Sequence, residues 1–328
     1  MKKIDAHAHI VQTVAGYNAK GRMSPLGNGY TIWDDGELLK LIPDGYGDTD
    51  FTAESFIKMM DEHGVEKAVI LQGSLNGYQN YYTYLSIKRY PERFTGAFSV
   101  DPFAENAHEI VKRYVEVLGF RAIKFEISQG GGLHGYHGHT PFRLDASPQV
   151  GRILHYLANY PGFVVTVDYG NFDQISYQPE AFPVLAKAYP TLDFVVCHLS
   201  FPHADYPNLL RAALSQWKDY PNIYTDLSAI QDIDRPDEFP FPKSEKNVRI
   251  AKEVLGAKRL LWGTDSPWSA TFNTYEELST WLEATGIFTQ EELEDVLYNN
   301  AERVYFKPEH IKANREAIDP VTKDLNLY

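Results

Sequence analysis

The sequence predicts an α/β fold, a single (β/α)8 TIM barrel. Three observations lead there. Eight short apolar runs recur along the 328 residues and alternate with helix-like amphipathic segments, a pattern that calls for parallel strands joined by right-handed crossovers. The length is that of one closed barrel carrying insertions. The first run is not followed by the glycine-rich turn that a doubly wound open sheet would want there.

The runs, rich in Val, Ile and Phe, are KIDAHAHI (3–10), VEKAVILQ (65–72), FTGAFSV (94–100), RAIKFEIS (121–128), FVVTVDYG (163–170), DFVVCHLS (193–200), NIYTDLSAI (222–230) and RLLWGTDSPW (259–268). Each has strand length and strand composition. Helices are expected over TAESFIKMMDEHG (52–64), AENAHEIVKRYVEVLG (104–119), PEAFPVLAKAYP (179–190), LLRAALSQWKDYP (209–221), NVRIAKEVLG (247–256) and TQEELEDVLYNNAERVYF (289–306). Gly and Pro stand where helix stops belong. Residues 1–306 thus read as one barrel, and 307–328 as a polar C-terminal arm. Two insertions interrupt the alternation, 11–51 and 129–148, both after strand C-terminal ends. That face is where barrels build their sites.

Composition excludes several functions. Hydrophobic residues make up 44%, enough for a large core, and the net charge is -13 from 31 basic and 44 acidic side chains. Such a balance argues against nucleic acid or an anionic membrane as partner and leaves a small molecule. No run of membrane-spanning length and no signal-peptide pattern occurs. The one cysteine, Cys197, permits no internal disulfide, which fits a cytoplasmic protein. Oligomeric state is open, a homo-oligomer included.

Chemistry gathers at the strand ends. His7 and His9 are two apart on the first strand, so they share one side of it. Glu126, Asp168, His198 and Asp265 fall at the ends of strands four, five, six and eight. Carboxylates in a water-poor mouth are costly unless paired or bound to a cation. The mixed nitrogen and oxygen set suits Zn2+, Mn2+, Fe2+ or Ni2+. Lys124 shares a face with Glu126 and is either a substrate-binding cation or an internal partner for these acids. The loop GLHGYHGH carries His134, His137 and His139, read as a lid or substrate loop, with a second metal site as the lesser reading. His203 either lines the pocket or lies on the surface. Cys197 is expected to face away from the site, because its neighbour His198 faces in.

The order DAHAHI, a lysine-bearing fourth strand, CHLS and GTDSPW resembles the amidohydrolase superfamily, and most of all the branch that includes aminocarboxymuconate semialdehyde decarboxylase. LYNNAERVYF is similar to the helix that follows the strand-eight aspartate there, so the resemblance spans about residues 3–306. It implies a metal-dependent hydrolase or decarboxylase. His7 and His9 would be metal ligands, Asp265 a ligand and proton acceptor, and His198 a residue that orients or activates water. The family pattern has a histidine at the end of strand five where this chain has Asp168. The expected ligand set is therefore His7, His9, Asp168 and Asp265, with Glu126 and His198 as alternative ligands and Zn2+ as the first choice of ion. Lys124, His137, His139 and His203 are the candidate substrate contacts.

Three functions are compatible with these residues. The first is hydrolysis of a small polar amide, lactone or ester by a metal-activated water. The second is metal-assisted, non-oxidative decarboxylation of an aromatic or unsaturated acid. The third is a non-catalytic barrel that binds a ligand and has lost its metal.

Overall fold

The computed structural model describes residues 1–129 and 142–327. All eight expected runs contain a parallel barrel strand. These are β1 (Ile4–Ala8), β6 (Lys67–Ile70), β7 (Phe94–Gly96), β8 (Ala122–Glu126), β9 (Val164–Asp168), β10 (Asp193–Val196), β11 (Ile223–Asp226) and β12 (Leu260–Leu261). Strands β1, β6 and β7 form one arc, and β8 to β12 form the other. Parallel bridges Phe98–Ile123 and Ala8–Ser266 join the arcs at both seams. At the second seam Ala6 N–H donates to Trp262 O (3.0 Å) and Asp265 N–H to His7 O (2.7 Å). The ring is closed, so no barrel strand is left with an open edge.

Alternation sorts the core into two layers. Ile4, Ala6, Val69, Leu71, Ala97, Ala122, Val164, Val195 and Leu261 pack inside the barrel, where Val304 and Tyr305 join them. Buried side chains such as Ile123, Phe125, Val165, Phe194 and Val196 pack outward on the helices. The expected helices are present, and their caps are local. Thr52 accepts from Ser55 N–H ahead of Ala53–Glu62. Thr274 and Thr289 form capping boxes with Glu277 and Glu292, each satisfying two otherwise orphaned donors.

Among the described residues five α-helices lie where the sequence reading assigns none: Asn80–Arg89, Pro148–Leu157, the short Ile230–Ile233, Tyr275–Thr285 and Pro308–Glu316. The last belongs to the C-terminal arm. There, Asp319 accepts from Arg113 (2.8 Å) and Tyr81 (2.8 Å), tying the arm to the barrel wall.

The insertion at 11–51 is a small antiparallel sheet of β2 (Tyr17–Asn18), β3 (Gly21–Gly27), β4 (Tyr30–Trp33) and β5 (Leu38–Lys40). Asn28 and Gly29 form the two-residue turn between β3 and β4, with φ of 51° and 74°. Positive φ at both positions is what a tight hairpin requires of Asn-Gly.

Candidate metal centre and active site

The site is assembled at the β1–β12 seam. Pairing of β1 with β6 shifts register between Asp5 and Ala8. The close approach of β1 to the eighth strand depends on Gly263. A Cβ there would lie 2.9 Å from both Cβ and N of His7.

Each imidazole is held by its Nδ1. His7 Nδ1 lies 3.0 Å from Asp226 Oδ2, His9 Nδ1 lies 3.0 Å from Leu71 O, and His198 Nδ1 lies 3.0 Å from Ser228 O. These partners accept only, so they place the hydrogen on Nδ1 and leave Nε2 of each ring for the cavity. Asp265 carries the carboxylate to meet them. Its φ of 62° is left-handed, and strain of that kind clusters at functional sites. Asp265 Oδ1 lies 2.9 Å from His9 Nε2 and 3.3 Å from His7 Nε2. His7, His9 and Asp265 each offer a ligand atom within 4.8 Å of the others.

These residues fit a divalent ion. With both Nδ1 atoms donating, the Nε2 lone pairs of His7 and His9 converge on one carboxylate oxygen, an arrangement that a cation bound among all three would satisfy, whereas Lys124 Nζ reaches only His7 Nε2. Ligand atoms about 2.1 Å from a tetrahedral ion stand roughly 3.4 Å apart, close to the spacing seen. The donor set is nitrogen and oxygen, as catalytic sites of Zn2+ and related ions use.

Asp168 stands outside that trio. Its Oδ2 is 3.4 Å from His198 Nε2, and its Oδ1 accepts Gly170 N–H at 2.9 Å. Glu126 pairs across the sheet with Asp168, accepts from Ser128 Oγ at 2.7 Å and lies 3.5 Å from Lys124 Nζ. Lys124 Nζ is also 3.3 Å from His7 Nε2. His203 does not line the cavity; its ring nitrogens lie 3.2 Å from Asp234 Oδ1 and 3.2 Å from Asn171 Oδ1. His134, His137 and His139 lie outside the described residues.

Cys197 requires a correction. It does not face away, because its sulfur lies within 4.8 Å of ligand atoms of His7 and His198. Val195 belongs to the interior layer, and alternation carries Cys197 inward in the same phase. His198 also faces in because strand geometry ends at Val196. From His198 to Phe201 the backbone is left-handed, with φ of 55°, 48°, 62° and 51°.

Sequence reasoning missed Asp226. Its Oδ2 faces His7, and its Oδ1 accepts N–H from His198 (3.0 Å) and Ser228 (3.1 Å). It stands at the end of β11, as Asp168 and Asp265 do for their strands, so the same strand-end rule would have found it.

Burial dominates the electrostatics. Burial first, and the Lys124 charge second, push the His7 imidazole down to about 4. Burial acts the same way on His198, but Asp168 and Asp265 outweigh it and raise His198 to about 10. Burial, then Asp168, pushes the Glu126 carboxyl up to about 8. For Asp265 burial is overcome by His9, His7 and His198, which hold it well below the usual carboxylate range. His198 is thus a cationic N–H donor and Asp265 an ionised acceptor.

A cavity of about 400 Å³ opens above these groups. Its floor includes His9, Lys124, Asp168, His198 and Asp265, and its walls include Trp33, Leu39 and Trp268. The insertion sheet supplies Trp33 and Leu39. Among the described residues no helix is long and apolar enough to cross a membrane.

A closed barrel with histidines and carboxylates at one mouth defines the class of barrel enzymes built on strand-end sites. The amidohydrolase family model matches residues 4–307, and the chain belongs to that family. Two curated relatives match part of the chain. Protein fluG of Emericella nidulans is 27% identical over 140 residues, 39% of this chain and 15% of its own length. L-fucono-1,5-lactonase of Burkholderia ambifaria is 29% identical over 112 residues, 32% of this chain and 37% of its own length. The matched stretches thus span well under half of either relative.

Among solved structures, a probable 2-pyrone-4,6-dicarboxylic acid hydrolase from Acinetobacter baumannii, with citric acid bound, superposes with a TM-score of 0.67 at 19% identity. That match covers 94% of this chain and 100% of the other. An amidohydrolase from Burkholderia multivorans with bound zinc gives 0.67 at 15% identity, over 94% and 100% of the two chains. The 2,6-dihydroxybenzoate decarboxylase from Rhizobium gives 0.54 at 17% identity, over 76% and 86%. Likeness at these identities establishes the barrel fold.

Proposed function

We propose that this chain is a metal-dependent hydrolase of a small polar ester, lactone or amide. The observation that carries the reading is the convergence of His7 Nε2, His9 Nε2 and Asp265 Oδ1, with His198 beside them. These three residues would hold the ion, with Zn2+ favoured by the donor set. A bound dication supplies an acidified water and polarises the scissile carbonyl.

The chain's own residues do the rest. Asp265, kept ionised, accepts the water proton and returns it to the leaving group. His198 Nδ1–H is pinned on Ser228, so its Nε2–H is the donor for the oxyanion that develops. Asp168 Oδ2, 3.4 Å from the same nitrogen, stabilises the imidazolium charge and yields the N–H to the oxyanion. Trp33, Leu39 and Trp268 exclude water from above. Arg235, stacked 3.7 Å over Phe272, reaches the rim and offers N–H groups to a polar substituent. A lactonase among the relatives and a pyrone acid hydrolase among the neighbours favour a cyclic ester as the first substrate to assay.

The test is turnover across a panel of lactones, esters and amides, with Asp265→Asn as control. Removing the proton acceptor lowers turnover by about 10²- to 10⁴-fold; unchanged turnover in Asp265→Asn overturns the assignment. Decarboxylation is the rival, favoured by the aromatic wall of Trp33, Phe201 and Trp268. Carbon dioxide release from aromatic acids, with no hydrolysis of the panel, decides for it.

A further inference from the structure

Lys124 has no step in this mechanism, yet it sits at the heart of the site. Its side chain is 2% exposed. The His7 ring has a single free lone pair, on Nε2, because Nδ1–H is given to Asp226 at 3.0 Å. Lys124 Nζ lies 3.3 Å from that lone pair and 3.5 Å from Glu126 Oε2. An ammonium carries three donors and no acceptor, so the contact with His7 is N–H donation into the lone pair a metal ion would use. One lone pair serves one partner.

We propose that Lys124 is a resident cation that competes with the metal ion for His7 Nε2 and so sets the metal affinity of the site. The inference rests on the metal-centre reading above. The exchange balances simply. The Lys124 N–H···N hydrogen bond breaks, the His7 lone pair forms the bond to the ion, and the ammonium keeps all three protons. Lys124 has somewhere to go. Its four-carbon stem is flexible, and the Glu126 and Asp168 carboxylates stand side by side on β8 and β9. Repulsion between an ammonium and a dication a few ångströms apart acts in the same direction as the lost hydrogen bond. These residues would thus work together: Lys124 opposes the ion, and the Glu126–Asp168 pair receives the ammonium when the ion binds.

The experiment measures Zn2+ and Co2+ affinity of the full-length protein against a chromophoric chelator. Lys124→Met removes donor and charge, and its affinity should exceed wild type by about tenfold or more, the order by which neighbours of metal ligands tune affinity. Lys124→Gln keeps a donor without the charge and should fall between. Wild-type protein that binds the ion, with both variants equal or weaker, overturns the proposal and leaves the metal centre standing. No binding by wild type or either variant overturns the metal-centre reading, and this inference with it. A wild-type crystal structure with Zn2+ decides independently if the variants do not fold. Lys124 Nζ displaced from hydrogen-bond distance of His7 supports the competition, and Nζ remaining on His7 Nε2 beside a bound ion overturns it.

Discussion

His7 is held by Asp226 and Gly263, neither of which lines the cavity. Asp226 fixes the ring through Nδ1, and an acceptor in that place both orients a ligand and makes it a better donor. Asp226→Asn should weaken Zn2+ binding by roughly 10- to 100-fold, read by chelator competition, while the circular dichroism spectrum stays the same. Gly263 acts by absence. An alanine Cβ would press 2.9 Å from the His7 backbone nitrogen, and a backbone neighbour cannot swing away. Gly263→Ala should cost about 1–3 kcal/mol of stability, read as a lower denaturation midpoint, and should lower turnover as well.

At the scale of elements, the site belongs to strand ends and to the insertion. The ends of β1 and of the eighth strand are locked by Asp5, whose carboxylate accepts from Thr264 Oγ1 (2.6 Å), Thr264 N (2.9 Å), His7 N (3.2 Å) and Tyr275 OH (3.1 Å). The insertion sheet forms the cavity wall, so it governs substrate fit more than chemistry. Leu39→Ala should therefore raise KM severalfold with kcat nearly unchanged, as expected when binding is lost equally from ground and transition states. The barrel was legible because every strand is an apolar run bounded by turn residues. His7, His9 and Asp265 stand out as candidates because each is a metal-binding type at the end of such a run, and the fold brings the three together. The insertion strands were not, since β3 contains Gly21, Pro25 and Gly27, residues that weaken any strand signal. Asn28-Gly29 was the clue to its hairpin. Alternation counted back from His198 points Cys197 the wrong way, because a left-handed turn, invisible in composition, begins at His198 and separates the two phases. Asp168, the candidate ligand where the family pattern has a histidine, turns its oxygens to His198 and Gly170.

At the scale of the whole molecule, acid should unfold the barrel partly through His310, far from the site. It is 2% exposed on the helix Pro308–Glu316, and its Nε2 has no hydrogen-bond partner. Burial, then the Lys307 charge, pushes its pKa down to about 3 from 6.5. The unfolded chain binds this proton first, so the native state keeps its full advantage above pH 6.5 and loses it as pH falls towards 3. The slope from one such group reaches about 1.4 kcal/mol per pH unit. Melting temperatures of His310→Leu between pH 4 and 7 should fall less steeply than those of wild type, and identical slopes would remove His310 from the account. The fold also makes its functional residues meet from distant stretches of chain: His7 and Asp265 are neighbours only because the barrel closes. That closure is what the central claim depends on. The most direct measurement is anomalous diffraction from crystals of the wild-type protein equilibrated with Zn2+. The account predicts one strong peak about 2.0–2.2 Å from His7 Nε2, His9 Nε2 and an Asp265 carboxylate oxygen. A fully occupied ion elsewhere, or no peak at that position, would contradict it.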